Sequence, residues 1–189
     1  MSVISKPTER PISLASMKAH LRVRHDEEDT YIEGLVDAAV GMIDGPGGIG
    51  VALMEQTWRR SFDRIEDVVK LPGAPVKSIA EVGYIDRDGV TQTFAAANYE
   101  LDANAEPARV WPVNAWPVVK DRPGAIWIDY VLGEAASAAV DATLLQAVRM
   151  LVGHWYENRE AVIVGTSAAS VPIGVDLILR SHRRGVVGA

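Results

Sequence analysis

The sequence predicts an α+β protein: a helical bundle built from both ends of the chain, with a β-rich antiparallel insertion between. Apolar residues recur at spacings of three and four over residues 13–44 and again from Asp141. Strand-like runs, turn signals and prolines fill the interval. No internal repeat or low-complexity tract points to another organisation. The expected boundaries are 1–50 and 134–189 for the helical bundle with its C-terminal tail, and 51–133 for the insertion.

Ser13 caps the first helix, whose inner face is Leu14, Met17 and Leu21. "HDEED" at 25–29 opens the second, because carboxylates favour the positive end of a helix dipole; Thr30 with Glu33 reads as a capping box slightly further in. Ile32, Leu35, Val36, Ala39 and Ile43 form its buried stripe, and "GPGG" at 45–48 stops it. In the insertion, "EQTWRRSFD" (55–63) and "VKSIAEVGYID" (76–86) read as strands, with "LPGAP" between them and a hairpin turn at "DRDG" (86–89). The clearest strand is "AIWIDYVLG", where Ile126, Ile128, Tyr130 and Leu132 alternate with Ala125, Trp127, Asp129 and Val131. Pro107, Pro112, Pro117 and Pro123 mark long loops and argue against a central-strand role for those stretches. The block is expected to be a compact antiparallel sheet or a small barrel. From Asp141, Leu144, Val148, Leu151 and Trp155 step by four, three and four, widened by Leu145, Val152 and Tyr156. "GTSAAS" breaks the pattern, "VPIGVDLIL" adds a short helix, and "RSHRRGVVGA" ends the sequence.

At 189 residues, 48% apolar and 23% charged, the chain has the composition of an ordinary soluble protein, long enough for one good core or for one core with an inserted subdomain. It has no apolar run of membrane-spanning length. "MSVISKPTERPISL" lacks the basic-then-apolar layout of a signal peptide, so action in the compartment of synthesis is expected. The absence of cysteine removes disulfides, thiolate nucleophiles and thiolate zinc sites. A net charge of −6 argues against a general binder of phosphate backbones.

The candidate sites are weak as chemistry. His154 and Glu157 are three apart, and a zinc protease helix needs a second histidine that is missing here, so His154 reads as structural. "HDEED" lacks the ligand spacing of a calcium loop. "GPGGIG" lacks the G-K-[ST] of a phosphate loop and follows no strand. No G-x-S-x-G elbow is present. No catalytic residue, metal or cofactor is therefore expected. The face carrying Gln146, Arg149, Gly153 and Glu157 is more suggestive, since glycine inside a helix costs roughly 1 kcal/mol relative to alanine. Either a helix of this chain or of a neighbouring subunit approaches at Gly153, or the face is simply solvated. In the C-terminal segment, Arg180, Arg183 and Arg184 concentrate positive charge ahead of Val186 and Val187. This is either a frayed end or a tail that orders on a partner, its arginines pairing with carboxylates and its valines adding to a groove or sheet edge.

Taken in order, "PISLASMKAHLRVRHDEEDTYIEGLVDAA", "EQTWRRSFDR", "VKLPGAPVKSIAEVGYIDRDG", "YELDANAEPARVWP" and "LLQAVRMLVGHWYENREAV" resemble the head–tail connector (adaptor) family of long-tailed bacteriophages and phage-derived gene transfer agents. The resemblance runs from Pro11 to Leu179, and departs from the usual pattern at "GMIDGPGGIGVAL". It implies a non-enzymatic virion protein that assembles as a ring, usually twelve-fold, beneath the portal, extends the DNA channel and joins capsid to tail. The implied partners are other copies of the chain, the portal, a stopper or other tail-completion protein and, transiently and without specificity, translocating DNA; no membrane is involved. The implied location is the neck of a virion or virus-like particle assembled in the host cytoplasm. The C-terminal segment, with Arg180, Arg183, Arg184, Val186 and Val187, becomes the arm expected to engage the portal. Arg149, Gly153, Glu157, Arg159 and Glu160 become the expected contact with neighbouring subunits. Two alternatives are a stopper or tail-completion protein, usually β-dominated and without paired N-terminal helices, and a metal-dependent hydrolase using His154, Glu157 and a carboxylate of "HDEED".

Overall fold

A computed structural model of the chain describes residues 1–159 and 173–184. Its helices are α1 (Leu14–Leu21), α2 (Asp29–Ile43), α3 (Ala142–Glu157) and α4 (Ile173–His182). Between and before them lie β1 (Ser2–Ser5), β2 (Gln56–Phe62), β3 (Val69–Leu71), β4 (Val76–Ile85), β5 (Thr91–Thr93), β6 (Tyr99–Asp102), β7 (Ala108–Pro112) and β8 (Ile126–Leu132). The class is α+β.

The helices share one apolar core. Met17 from α1, Ile32, Val36, Ala39 and Ile43 from α2, Leu144, Val148, Leu151 and Val152 from α3, and Val175 from α4 are all buried in it. Ser13 caps α1, its hydroxyl accepting from the Ser16 N–H at 3.2 Å. The predicted capping box of Thr30 and Glu33 does not form. Here α2 starts at Asp29 with Glu28 as its cap, so Thr30 is already inside the helix, and Glu33 accepts from Arg10 at 3.0 Å instead.

The strands form two antiparallel sheets, one of order β1-β2-β8-β4-β5 and one of order β3-β7-β6. In the larger sheet Trp58 lies opposite Tyr130 and Arg59 opposite Asp129. The period of two in β8 is used as predicted: Ile128, Tyr130 and Leu132 join Trp58, Val82, Leu71 and Val110 in a second core shared by the two sheets. The insertion is thus a pair of sheets and not a closed barrel. Two further expectations are corrected. Ser2–Ser5, too short to be assigned as a strand from the sequence, pairs with β2 as an edge strand. Residues 108–112, set aside as loop because of their prolines, form the middle strand of the smaller sheet. Pro107 precedes that strand and Pro112 is its last residue, so neither missing N–H interrupts the centre of the ladder.

A polar seam joins the two cores. The Asp44 carboxylate, just beyond α2, accepts from Gln56 Nε2 at 2.8 Å, and Gln56 Oε1 accepts from Trp58 Nε1 at 2.7 Å. Burial raises the Asp44 carboxyl above the usual carboxylate range, against the opposing hydrogen bonds from Gln56 and from backbone N–H groups.

Candidate functional site

The surfaces singled out by the sequence are the Arg149–Glu157 face and C-terminal end of α3, the "HDEED" turn and the segment from Arg180 onward. At the start of α3, the Asp141 carboxylate caps the helix by accepting from the N–H groups of Thr143 (2.7 Å) and Leu144 (3.4 Å). At the other end His154 is half-buried, and its carbonyl accepts from the Asn158 N–H at 3.1 Å and from Asn158 Nδ2 at 2.8 Å. No group of three His, Asp or Glu side chains gathers as a metal site among the described residues. The carboxylates of "HDEED" are engaged elsewhere: Lys18 Nζ donates to Asp26 and Asp29, each at 2.6 Å, and Glu28 accepts from both Arg159 and the Tyr156 hydroxyl. The hydrogen bond from Arg159, followed by that from Tyr156, holds the Glu28 carboxyl below its ordinary value. Lys18 does the same to Asp26.

The residues expected to face a neighbouring subunit are not one free patch. Arg149 and Gly153 are half-buried and Glu157 is exposed. Arg159 is spent within the subunit: besides its pairing with Glu28, its guanidinium lies 4.7 Å from the Tyr31 ring centroid and 5.2 Å from that of Tyr156. It clamps the end of α3 to the start of α2, a pairing across 131 positions that no local pattern announces. Glu160 lies outside the described residues. At Gly153 a Cβ would meet His20 Nε2 at 3.6 Å, an ordinary contact, so packing against α1 does not require glycine there.

The C-terminal segment is docked further along than its sequence suggests. Arg180 is part of α4 and pairs with Asp176 at 2.8 Å. The His182 imidazole lies 3.2 Å from Thr143 Oγ1 and 3.6 Å from the Asp141 carboxylate, tying the end of α4 to the start of α3. The Arg184 N–H donates to the Ile49 carbonyl at 2.8 Å and its guanidinium pairs with Glu106 at 3.0 Å. Gly50, at φ +78°, makes room for this crossing, since a Cβ there would stand 2.8 Å from the Arg184 carbonyl oxygen. Of the five residues assigned to the arm, only Arg183 is exposed with no ion pair among the described residues. Val186 and Val187 lie outside the described residues. Arg184 and Glu106 border a cavity of about 340 Å³ whose walls include Val51, Leu53, Val140 and Leu144.

No protein-family model matches the chain, and no match is found among curated protein sequences. Solved structures do match. A chain in the neck of an empty gene transfer agent (GTA) particle, computed with C6 symmetry, is 25% identical, with a TM-score of 0.71 over 99% of this chain and 97% of that one. The chain has the fold of a gene transfer agent neck protein. A chain from the virion of the native particle is 24% identical, with a TM-score of 0.70 over 98% and 96% of the two chains. Another, from the native neck computed with C12 symmetry, is 23% identical, with a TM-score of 0.69 over 99% and 97%. The neck fold spans both cores and the seam between them. These structural neighbours are parts of a particle, and no described helix is long and apolar enough to cross a membrane.

Proposed function

We propose that this chain is a head–tail connector (adaptor) subunit in the neck of a gene transfer agent or related phage particle. Copies close into a ring of twelve beneath the portal, extend the DNA channel and join capsid to tail. The observation that carries this reading is the near full-length match to a neck chain at 25% identity. The C12 symmetry of one matching neck is consistent with twelve copies. A ring subunit needs complementary faces rather than a reactive centre, and identical head-to-tail contacts close when the rotation allows. The partners are other copies, the portal and a stopper or other tail-completion protein, with passing contact to DNA. Arg149, Gly153 and Glu157 remain the proposed contribution of α3 to the contact between copies, and the segment from Arg183 onward the proposed arm toward the portal. The division into a helical part (1–50 and 134–189) and an insertion (51–133) belongs to the same proposal, although Ser2–Ser5 pairs with the sheet.

Fractionation of particles carrying a tagged copy tests the assignment. The chain is expected in the neck fraction, and deletion of its gene should leave filled heads without tails. A chain absent from purified particles would refute the reading. The arm is tested separately by removing residues 185–189, which should weaken portal binding while leaving the fold intact. Truncation from Arg180 is unsuitable, because it also strips the contacts of His182 and Arg184 from the subunit.

A further inference from the structure

We propose that Arg22 and Arg24, in the turn between α1 and α2, bind carboxylates of an adjacent copy of this chain; the inference rests on the ring reading above. Arg22 has φ 61° and ψ 27° and is the sole non-glycine residue with positive φ among the described residues. It occupies the left-handed position that ends a helix, with its N–H donating to the Ala19 carbonyl at 3.3 Å and the Val23 N–H donating to the Lys18 carbonyl at 3.0 Å. Glycine fits that position without a steric cost and an L side chain does not. The fold therefore carries a penalty that the arginine side chain does not offset through any ion pair or hydrogen bond among the described residues. Val23 packs against the helical core, while Arg22 and Arg24 on either side of it are exposed. The ion pairs of this turn are Lys18 with Asp26 and Asp29, His25 with Glu27 at 3.9 Å, and Arg159 with Glu28. Among the described residues the two guanidiniums have no ion-pair partner. A strained residue held at a surface with no partner among the described residues points to a use outside the subunit.

The charge pattern selects the occupant. Beyond His25 come Asp26, Glu27, Glu28 and Asp29, so a basic pair gives way to an acidic run and the turn offers no continuous positive track to a phosphate backbone. A protein surface of mixed charge suits it better, and guanidiniums favour the paired oxygens of carboxylates. Each copy supplies such groups in excess, with 25 acidic against 19 basic side chains. A heterologous contact, arginines of one copy on carboxylates of the next, is the kind that repeats around a ring.

Two variants of the full chain, Arg22→Gly and Arg24→Ala, test this by melting and by sedimentation at low and high salt. Arg22→Gly is expected to raise the melting temperature by about 2–4 °C, since it relieves the left-handed residue. Each variant is expected to weaken self-association about tenfold at low salt, with the difference from wild type shrinking at high salt. A lower melting temperature for Arg22→Gly together with unchanged association would make the arginine a part of the subunit fold and overturn the inference. A wild-type chain that stays monomeric at every concentration would overturn it too, while its presence in purified necks would leave the connector reading standing. Wild-type binding to a DNA duplex that both variants lose, with association unchanged, would assign the turn to nucleic acid and equally overturn the inference.

Discussion

The helical layer and the sheet pair differ most plainly at their glycines. In α2, Gly34 and Gly41 have nothing within 4 Å of where a Cβ would stand. In β4, Gly83 lies beneath the Trp127 indole, and a Cβ there would come within 2.3 Å of the ring. Arg59 completes that arrangement: its guanidinium lies 5.1 Å from the Trp127 ring centroid and pairs with Asp129 through two contacts of 2.7 Å. The outer face of the sheet around Trp127 is thus filled by its own side chains, whereas on the outer face of α2 Arg10 pairs with Glu33 and Asp37 but nothing among the described residues packs on the two glycines. Glycines inside a helix cost stability wherever nothing packs on them. The two sites therefore differ in packing: Gly83 is covered by its own sheet, whereas Gly34 and Gly41 are uncovered among the described residues.

The largest effect that could break this contrast lies in the second core. Trp58→Ala is expected to destabilise the chain by about 3–5 kcal/mol, because the indole is fully buried and bonds to Gln56. Hydrogen exchange should quicken first in β2, β4 and β8; equal loss of protection in α2 and α3 would mean that the two cores open as one. Gly83→Ala is expected to cost about 1–3 kcal/mol by displacing Trp127, read as a lower melting temperature and altered tryptophan fluorescence. Gly34→Ala and Gly41→Ala should each stabilise the isolated subunit by up to about 1 kcal/mol. Destabilisation by either would show that α2 is not open in the free chain.

The smallest effect concerns pH, where the seam and the turn before α2 carry opposite signs. Asp44 has a raised carboxyl, so the folded state binds more protons than the unfolded one, and its share of stability declines as pH rises from the ordinary carboxylate value through the raised one. Glu28 and Asp26 are lowered, so their share is present above the ordinary value and disappears as pH falls through the folded one. Asp44→Asn keeps an oxygen for Gln56 and should raise the melting temperature at neutral pH. Glu28→Gln should leave the chain less sensitive to acid. Melting curves across pH 3–8 (the range about the ordinary carboxylate and histidine values) read both, and a steeper neutral decline for Asp44→Asn would contradict the burial argument.

Most of the helical layer was legible because its signals are local. The stripe Ile32, Val36, Ala39 and Ile43 and the cap at Ser13 depend on spacing and side-chain type alone. The helix α4 was legible too, but its docking was not, since the contacts of His182 with Thr143 and of Arg184 with Ile49 join residues far apart in the chain. The candidate surface was harder still. Arg159 was expected at a neighbour because it is a charged residue beyond a helix end, and only the position of Glu28 reveals that it is already paired.

By itself, the sequence determined the class of the fold, the inward-facing stripes and the lack of residue patterns for catalysis. These follow from periodicity and composition, which survive whatever the chain packs against. The tertiary structure decided which charges are spent inside the subunit, that Ser2–Ser5 joins the sheet and that residues 108–112 form a central strand. Such choices depend on partners brought together from distant positions. A four-residue strand or a lone arginine acquires its role only when the opposite edge or carboxylate has been placed beside it.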